Sequence, residues 1–339
     1  MSINNNDILP PEAEGSATDL VYCWCDGSDP VFAARKDARL RELGVVPDAE
    51  NTGAKRYVQH DELRYALRSA HRHAPWIRRI FIVTDRQHPA WLAEHPKVTV
   101  VDHREIIPAE LLPSFSSACI EGYLDRIPGL AERFIYGNDD MFFNRRTRPK
   151  DFFDDSGRPI VRIARPYVSE AEAAAMAQSR PWEQTLYAAW RLFTSRAEPR
   201  TEIFFPEHSY DAFTKTLWRE ALTLFPEFLE RNRSPFRTGR EISRVLLSYF
   251  MTSVAGCAGV MDRRTNGKIK RLLIRAGLLE PGVFTVVHDG DDRALKEIRR
   301  INPKTFCLNN IRDENAAQAI RFCEGRFPDP APWERSKGR

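Results

Sequence analysis

The chain has 339 residues, with 51 basic and 47 acidic side chains and a formal net charge of +4. Its 42% hydrophobic and 29% charged content excludes a disordered or fibrous polypeptide, and so even a charge balance does not mark a nucleic-acid binder. The length fits one catalytic-sized unit with a sub-domain.

Residues 1–18, "MSINNNDILPPEAEGSAT", lack the basic and apolar stretches of a secretory signal and read as a flexible arm. No later stretch is apolar for long enough to span a bilayer, so a soluble cytoplasmic protein is expected. From "DLVYCWC" onward, β-prone runs alternate with amphipathic segments. The pattern predicts strands at 20–25, 80–84, 98–101 and 133–137, with helices near 61–73, 89–94 and 117–126 between them. Leu63, Ala66, Leu67 and Ala70 recur at helical spacing, and Pro75 stops that helix. Alternation of this kind predicts an α/β fold whose mostly parallel, Rossmann-like sheet is covered on both faces.

The expected organisation is an α/β core over 19–165, a helical insertion over 166–260, a return to the core over 261–327 and a disordered tail at 328–339. The insertion is rich in helical patterns such as "REISRVLLSYFMTSV"; the return carries a strand, "VFTVV", at 283–287 and the segment "INPKTFCLNN". Six cysteines without a CxxC or zinc spacing read as reduced thiols.

In an open parallel sheet the ligand sits beyond the carboxyl ends of the strands. Each expected strand runs into polar groups there: Asp26, Gly27, Ser28 and Asp29; Thr84 and Asp85; Asp102 and His103; Asn138, Asp139 and Asp140. Carboxylates on one rim repel unless a cation offsets them, and hard oxygen ligands suit Mg²⁺ or Mn²⁺ bridging substrate phosphates. Asp, Asn and Gly also favour turns, so any one of these residues has an ordinary reading. Asp139 and Asp140 stand out because "IYGNDDMFF" holds them between greasy runs. Gly27 in "CDGSD" belongs to no phosphate-loop motif, Trp24 would stack on a base or fill core, and Arg64 and Arg68 would clamp phosphate or coat a solvated helix face.

The segments "DLVYCWCDGSDP", "DELRYALRSAHRHAPWIRRIFIVTDRQHPAWL", "LPSFSSACIEGYLDRIPGLAERFIYGNDDMFF" and "KTFCLNN" resemble the successive conserved regions of the Stealth family. That family comprises bacterial capsule and exopolysaccharide sugar-phosphate transferases and the catalytic subunit of a lysosomal-enzyme N-acetylglucosamine-1-phosphotransferase. The resemblance implies a glycosyltransferase A-like fold and metal-dependent transfer of hexose-1-phosphate from a nucleotide sugar, such as UDP-N-acetylglucosamine, to a sugar hydroxyl with release of UMP. It implies active-site roles for Glu121, Asp140, His208 and Arg237, and donor-binding roles for Trp24, Asp26 and Arg68. Gly27 and Asp85 join the donor rim, and Asp139, Asp140 and Asn310 form the expected metal set. Two positions depart from the pattern. His208 is followed by Ser209 and Tyr210 where the family commonly has Met-Pro, and Asn309-Asn310 stands where it has Asn-Asp.

The implied partners are a nucleotide-sugar donor and a saccharide or growing polysaccharide acceptor, with no nucleic acid. Peripheral association with capsule machinery at the inner face of the membrane stays open, as does the oligomeric state. Two other readings share much of this evidence: a metal-dependent glycosyltransferase releasing UDP, and a nucleotide-sugar-binding protein without turnover.

Overall fold

The computed structural model describes residues 17–46, 52–53, 56–166, 169–196, 204–261, 272–273, 276 and 284–335. Its central sheet has five strands: β1 (Thr18–Cys23), β2 (Ile80–Thr84), β3 (Val98–Asp102), β4 (Arg133–Asn138) and a late strand, Asp211–Thr214. The order is β3-β2-β1-β4 followed by the late strand, with the first four parallel and the last antiparallel to β4. Chain order thus reverses between β1 and β4, and the carboxyl ends of those two strands open a crevice there.

Both faces of this sheet are buried because successive side chains along each strand alternate. Val21, Phe81, Val83, Phe134 and Tyr136 point into one core, and Leu20, Tyr22, Ile80, Ile82 and Ile135 into the other. Helices α1 (Pro30–Glu42), α2 (Glu62–His73), α3 (His103–Ile106) and α4 (Ser117–Glu121) precede β4. Asp29 caps α1 by accepting from Val31 N, with Pro30 opening the helix. Leu63, Ala66, Leu67 and Ala70 of α2 all enter the second core, as their spacing predicts.

After β4 a two-residue turn, Asp139–Asp140, leads to β5 (Met141–Phe143), which leaves the central sheet. Two further strands are β6 (Val161–Pro166) and β7 (Phe204–Pro206), with helices α5 (Glu170–Met176) and α6 (Pro181–Thr194) between them; the late sheet strand is β8. Then follow α7 (Lys215–Leu224), α8 (Glu227–Arg231), α9 (Val245–Ser253), β9 (Gly259–Val260), β10 (Phe284–Asp289), α10 (Asp292–Ile301), β11 (Thr305–Ile311) and α11 (Asp313–Arg326). Strands β7, β6 and β9 form one small sheet; β10, β11 and β5 form another.

Several expectations change. The segment 89–94 is not helical: Ala93 N donates to Trp333 O at 2.7 Å and Leu92 bridges Glu334, so tertiary pairing overrides local propensity. The helix expected at 117–126 breaks at Gly122 into α4 and a 3₁₀ turn at Leu124–Arg126. Strands β10 and β11 return to a separate sheet with β5. Thr18, placed in the arm by its sequence, is the first residue of β1, and residues 1–16 lie outside the described ones.

The tail expected to be disordered docks over 328–335. Trp333 is buried against the His71 and His95 rings, and Glu334 pairs with Arg64 and Arg68 of α2. All six cysteines are free.

Candidate active site

A cavity of about 510 Å³ opens at the switch point between β1 and β4. It is lined by Cys23, Trp24 and Cys25 at the end of β1 and by Asn138, Asp139 and Asp140 at the end of β4. Glu121 from the end of α4, His208 from the β7–β8 loop, Arg237 from the loop before α9, and Asp85 after β2 also line it. One cavity therefore gathers Glu121, Asp139, Asp140, His208, Arg237, Trp24 and Asp85 from segments far apart in sequence.

The two neighbouring carboxylates are held where charge is unfavourable. Burial, with Glu62 and Asp140 nearby, pushes the Asp139 carboxyl well above the usual carboxylate range. Burial likewise raises Asp140 to about 7, with a hydrogen bond from Cys307 opposing the shift. Asp140 Oδ1 is buried and accepts no hydrogen bond. Such an orphaned acceptor costs free energy unless a ligand satisfies it. Asp140, His208 and Cys307 each place one ligand atom within 4.8 Å of the others. Burial beside Asp140 and Asp139 pushes the Cys307 thiol well above its ordinary value. It therefore stays protonated and serves Asp140 as a hydrogen-bond donor.

The turn itself is braced from behind. Tyr22 and Tyr210 share a 2.6 Å hydroxyl contact, and Tyr210 OH donates to Met141 O at 2.7 Å. Gly137 permits this approach, because a Cβ there would lie 2.4 Å from the Tyr210 ring.

Glu121 is held by a cation that carries no motif signal of its own. Arg244 Nη1 donates to Glu121 Oε1 at 2.8 Å, its Nη2 to Asp211 Oδ2 at 2.6 Å, and its guanidinium lies 4.6 Å from the Tyr136 ring centroid. Burial works against the Arg244 charge, but Glu121 and Asp211 more than offset it and raise its pKa. The one sequence signal for Arg244 is a lone cation opening the apolar run "RVLLSYF". Arg237 donates through Nη2 to Ser117 Oγ at 2.5 Å. Its loop is set by Glu241, whose carboxylate accepts from Thr238 N at 2.5 Å and Gly239 N at 3.0 Å.

Three expected donor residues lie outside this cavity. Arg68 is turned away from it: Nε donates to Glu334 Oε1 at 2.6 Å and Nη1 to Phe327 O at 3.0 Å. Gly27 serves packing, since its N donates to Tyr57 O at 2.7 Å and a Cβ there would meet Tyr57 at 2.6 Å. Asp26 accepts from Ser28 N and Ser28 Oγ, closing a turn, and borders a smaller neighbouring cavity of about 190 Å³. Asn309 lines the main cavity, while the Asn310 side chain lies outside the described residues.

Residues 56–161 match the family model for Stealth protein CR2, conserved region 2. The chain is 36% identical to an exopolysaccharide phosphotransferase of Nocardia farcinica over 96% of its own length and 62% of that protein. It is 48% identical to an exopolysaccharide phosphotransferase of Streptomyces coelicolor over 98% of its length and 54% of that protein. A capsular polysaccharide phosphotransferase of Actinobacillus pleuropneumoniae is 39% identical over 47% of this chain and 42% of that one. The chain therefore spans roughly half to three-fifths of the length of the first two relatives. The chain thus carries conserved region 2 of the Stealth proteins and is similar along nearly its whole length to exopolysaccharide phosphotransferases.

Proposed function

We propose that this chain transfers a hexose-1-phosphate from a nucleotide sugar, UDP-N-acetylglucosamine being the reference case, to a saccharide hydroxyl in capsule or exopolysaccharide synthesis. The observation that carries the reading is the meeting of Glu121, Asp139, Asp140, His208 and Arg237 in one cavity at the switch point. The names of the relatives, exopolysaccharide and capsular polysaccharide phosphotransferases, point to the same chemistry.

Phosphoryl transfer needs position and charge neutralisation more than covalent assistance. The orphaned Asp140 Oδ1 and the neighbouring Asp139 carboxylate fit a divalent cation such as Mg²⁺ or Mn²⁺. When bound, that cation would neutralise the donor diphosphate. Arg237 presents a planar fork to the phosphate oxygens, which gain charge as the acceptor attacks the sugar-linked phosphorus. Glu121 or His208 takes the acceptor's proton; Arg244 and Tyr136 fix Glu121 with its charge and direction. The attacked phosphorus–oxygen bond to the nucleoside phosphate breaks, UMP leaves, and the product retains the sugar's phosphate as a diester.

The rival glycosyl transfer shares donor, metal and sheet, but the acceptor would attack the anomeric carbon and UDP would leave. The test is a turnover assay with UDP-N-acetylglucosamine, Mn²⁺ and a saccharide acceptor, scored by released nucleotide and ³¹P NMR. UMP with a phosphorus-containing product is expected. Stoichiometric UDP with a phosphate-free glycoside would sink the phosphotransfer reading, and EDTA is expected to silence turnover in either case.

A further inference from the structure

We infer that Trp182, at the mouth of the active-site cavity, is the stacking platform of a saccharide acceptor subsite; the assignment of acceptor rather than donor rests on the reading above. Among the described residues, Trp182 is the only aromatic in the set of exposed large hydrophobic side chains, with 51% of its surface open, and it also lines the cavity. An open indole at a cavity mouth leaves apolar surface in water that a ligand would cover.

The platform is built rigidly. Pro181 occupies the first turn of α6, where its fixed φ suits helix entry, and Thr185 Oγ1 donates to Trp182 O at 2.7 Å. A Cβ on Gly239, whose φ is +75°, would lie 3.6 Å from Pro181 Cβ, and Ser243 N donates to Thr185 O at 3.2 Å. The start of α6 is thus fastened to the loop that carries Arg237. Phe205 backs the indole with ring centroids 6.4 Å apart.

Thr185, Glu207 and His208 give the same cavity polar groups beside the apolar Leu186 and Pro206. One face of a pyranose presents C–H bonds polarised by the ring oxygens, and its rim presents hydroxyls. The negative face of an indole attracts the former, and polar side chains at the edge engage the latter. A sugar stacked here would share the cavity with His208, one of the two candidate bases.

Wild type, Trp182→Ala and Trp182→Phe are compared on an array of microbial oligosaccharides, and in parallel by calorimetry with UDP-N-acetylglucosamine and Mn²⁺. The expected result is glycan binding by wild type, a loss of about tenfold in Trp182→Ala, retention in Trp182→Phe, and unchanged donor affinity throughout. Equal glycan binding by Trp182→Ala, no glycan bound by wild type, or a fall in donor affinity on removing the indole would each overturn the assignment. The last of these would make Trp182 a nucleobase platform. Half-exposed, Trp182 contributes little to the core, and matching melting temperatures verify that the variants fold. The glycan arm requires no turnover, so release of UDP in the assay above would defeat the phosphotransfer reading and leave the subsite standing.

Discussion

Asp140 carries a buried oxygen without a hydrogen bond, so Asp140→Asn separates charge from volume. That variant is expected to lose at least about a hundredfold in kcat while melting no lower than wild type, because it removes a carboxylate that burial disfavours. Full turnover by the variant at unchanged metal concentration would take Asp140 out of the site. Arg237→Lys replaces a planar fork with a point charge, and a drop of about tenfold in kcat/KM, about 1.4 kcal/mol, is expected. Wild-type steady-state kinetics would place Arg237 outside the reaction. The carboxylate pair was legible in sequence because charge between "IY" and "MFF" is costly enough to need a reason. Arg68 was not legible, because the carboxylate that claims it, Glu334, lies 266 residues away.

At the scale of elements, the C-terminal strap and α2 form one unit. Glu334 has a side chain only 2% exposed and takes both Arg64 and Arg68, the latter 9% exposed. Arg68 and Arg64 hold the Glu334 carboxyl below its ordinary range against the opposing effect of burial. Glu334→Ala would leave two guanidinium groups without that partner, one of them buried. The expected destabilisation is about 3 kcal/mol, measured by urea unfolding. A cost under about 1 kcal/mol would make the strap an ordinary surface pair. Strand and helix periodicity revealed β1 to β4 and α2, whose patterns follow from burial on known faces. It did not reveal that 89–94 is not helical or that 328–335 folds onto α2, since both depend on pairing with the distant C-terminal strap.

At the scale of the whole molecule, a buried histidine is one of the groups that tie stability to pH. His103 is 4% exposed, its Nδ1 makes no hydrogen bond, and burial lowers its pKa from 6.5 to about 4, with Asp102 opposing and Arg35 reinforcing the shift. The folded pKa lies below the unfolded one, so this group's contribution is fully present above pH 6.5. It is lost as the pH falls through 4, because the unfolded chain binds the proton more readily. The contribution is about 3 kcal/mol, and His103→Gln is expected to remove that share of the stability change between pH 7 and 4 relative to wild type. A curve that overlays wild type would mean that His103 makes no such contribution. Among the described residues no helix is long and apolar enough to cross a membrane.

The Asp139–Asp140 turn joins β4 of the central sheet to β5, and β5 pairs with β11, where Phe143 faces Thr305. That partner is synthesised about 160 residues later. At about 5 to 20 residues per second, roughly 8 to 30 s of translation separate the two strands. During that interval the "MFF" strand lacks its sheet neighbour. Pulsed proteolysis of stalled nascent chains is expected to show cleavage near Met141–Phe143 until β11 has left the exit tunnel. The carboxylate turn thus becomes competent among the last features of the molecule, although it is encoded before its midpoint.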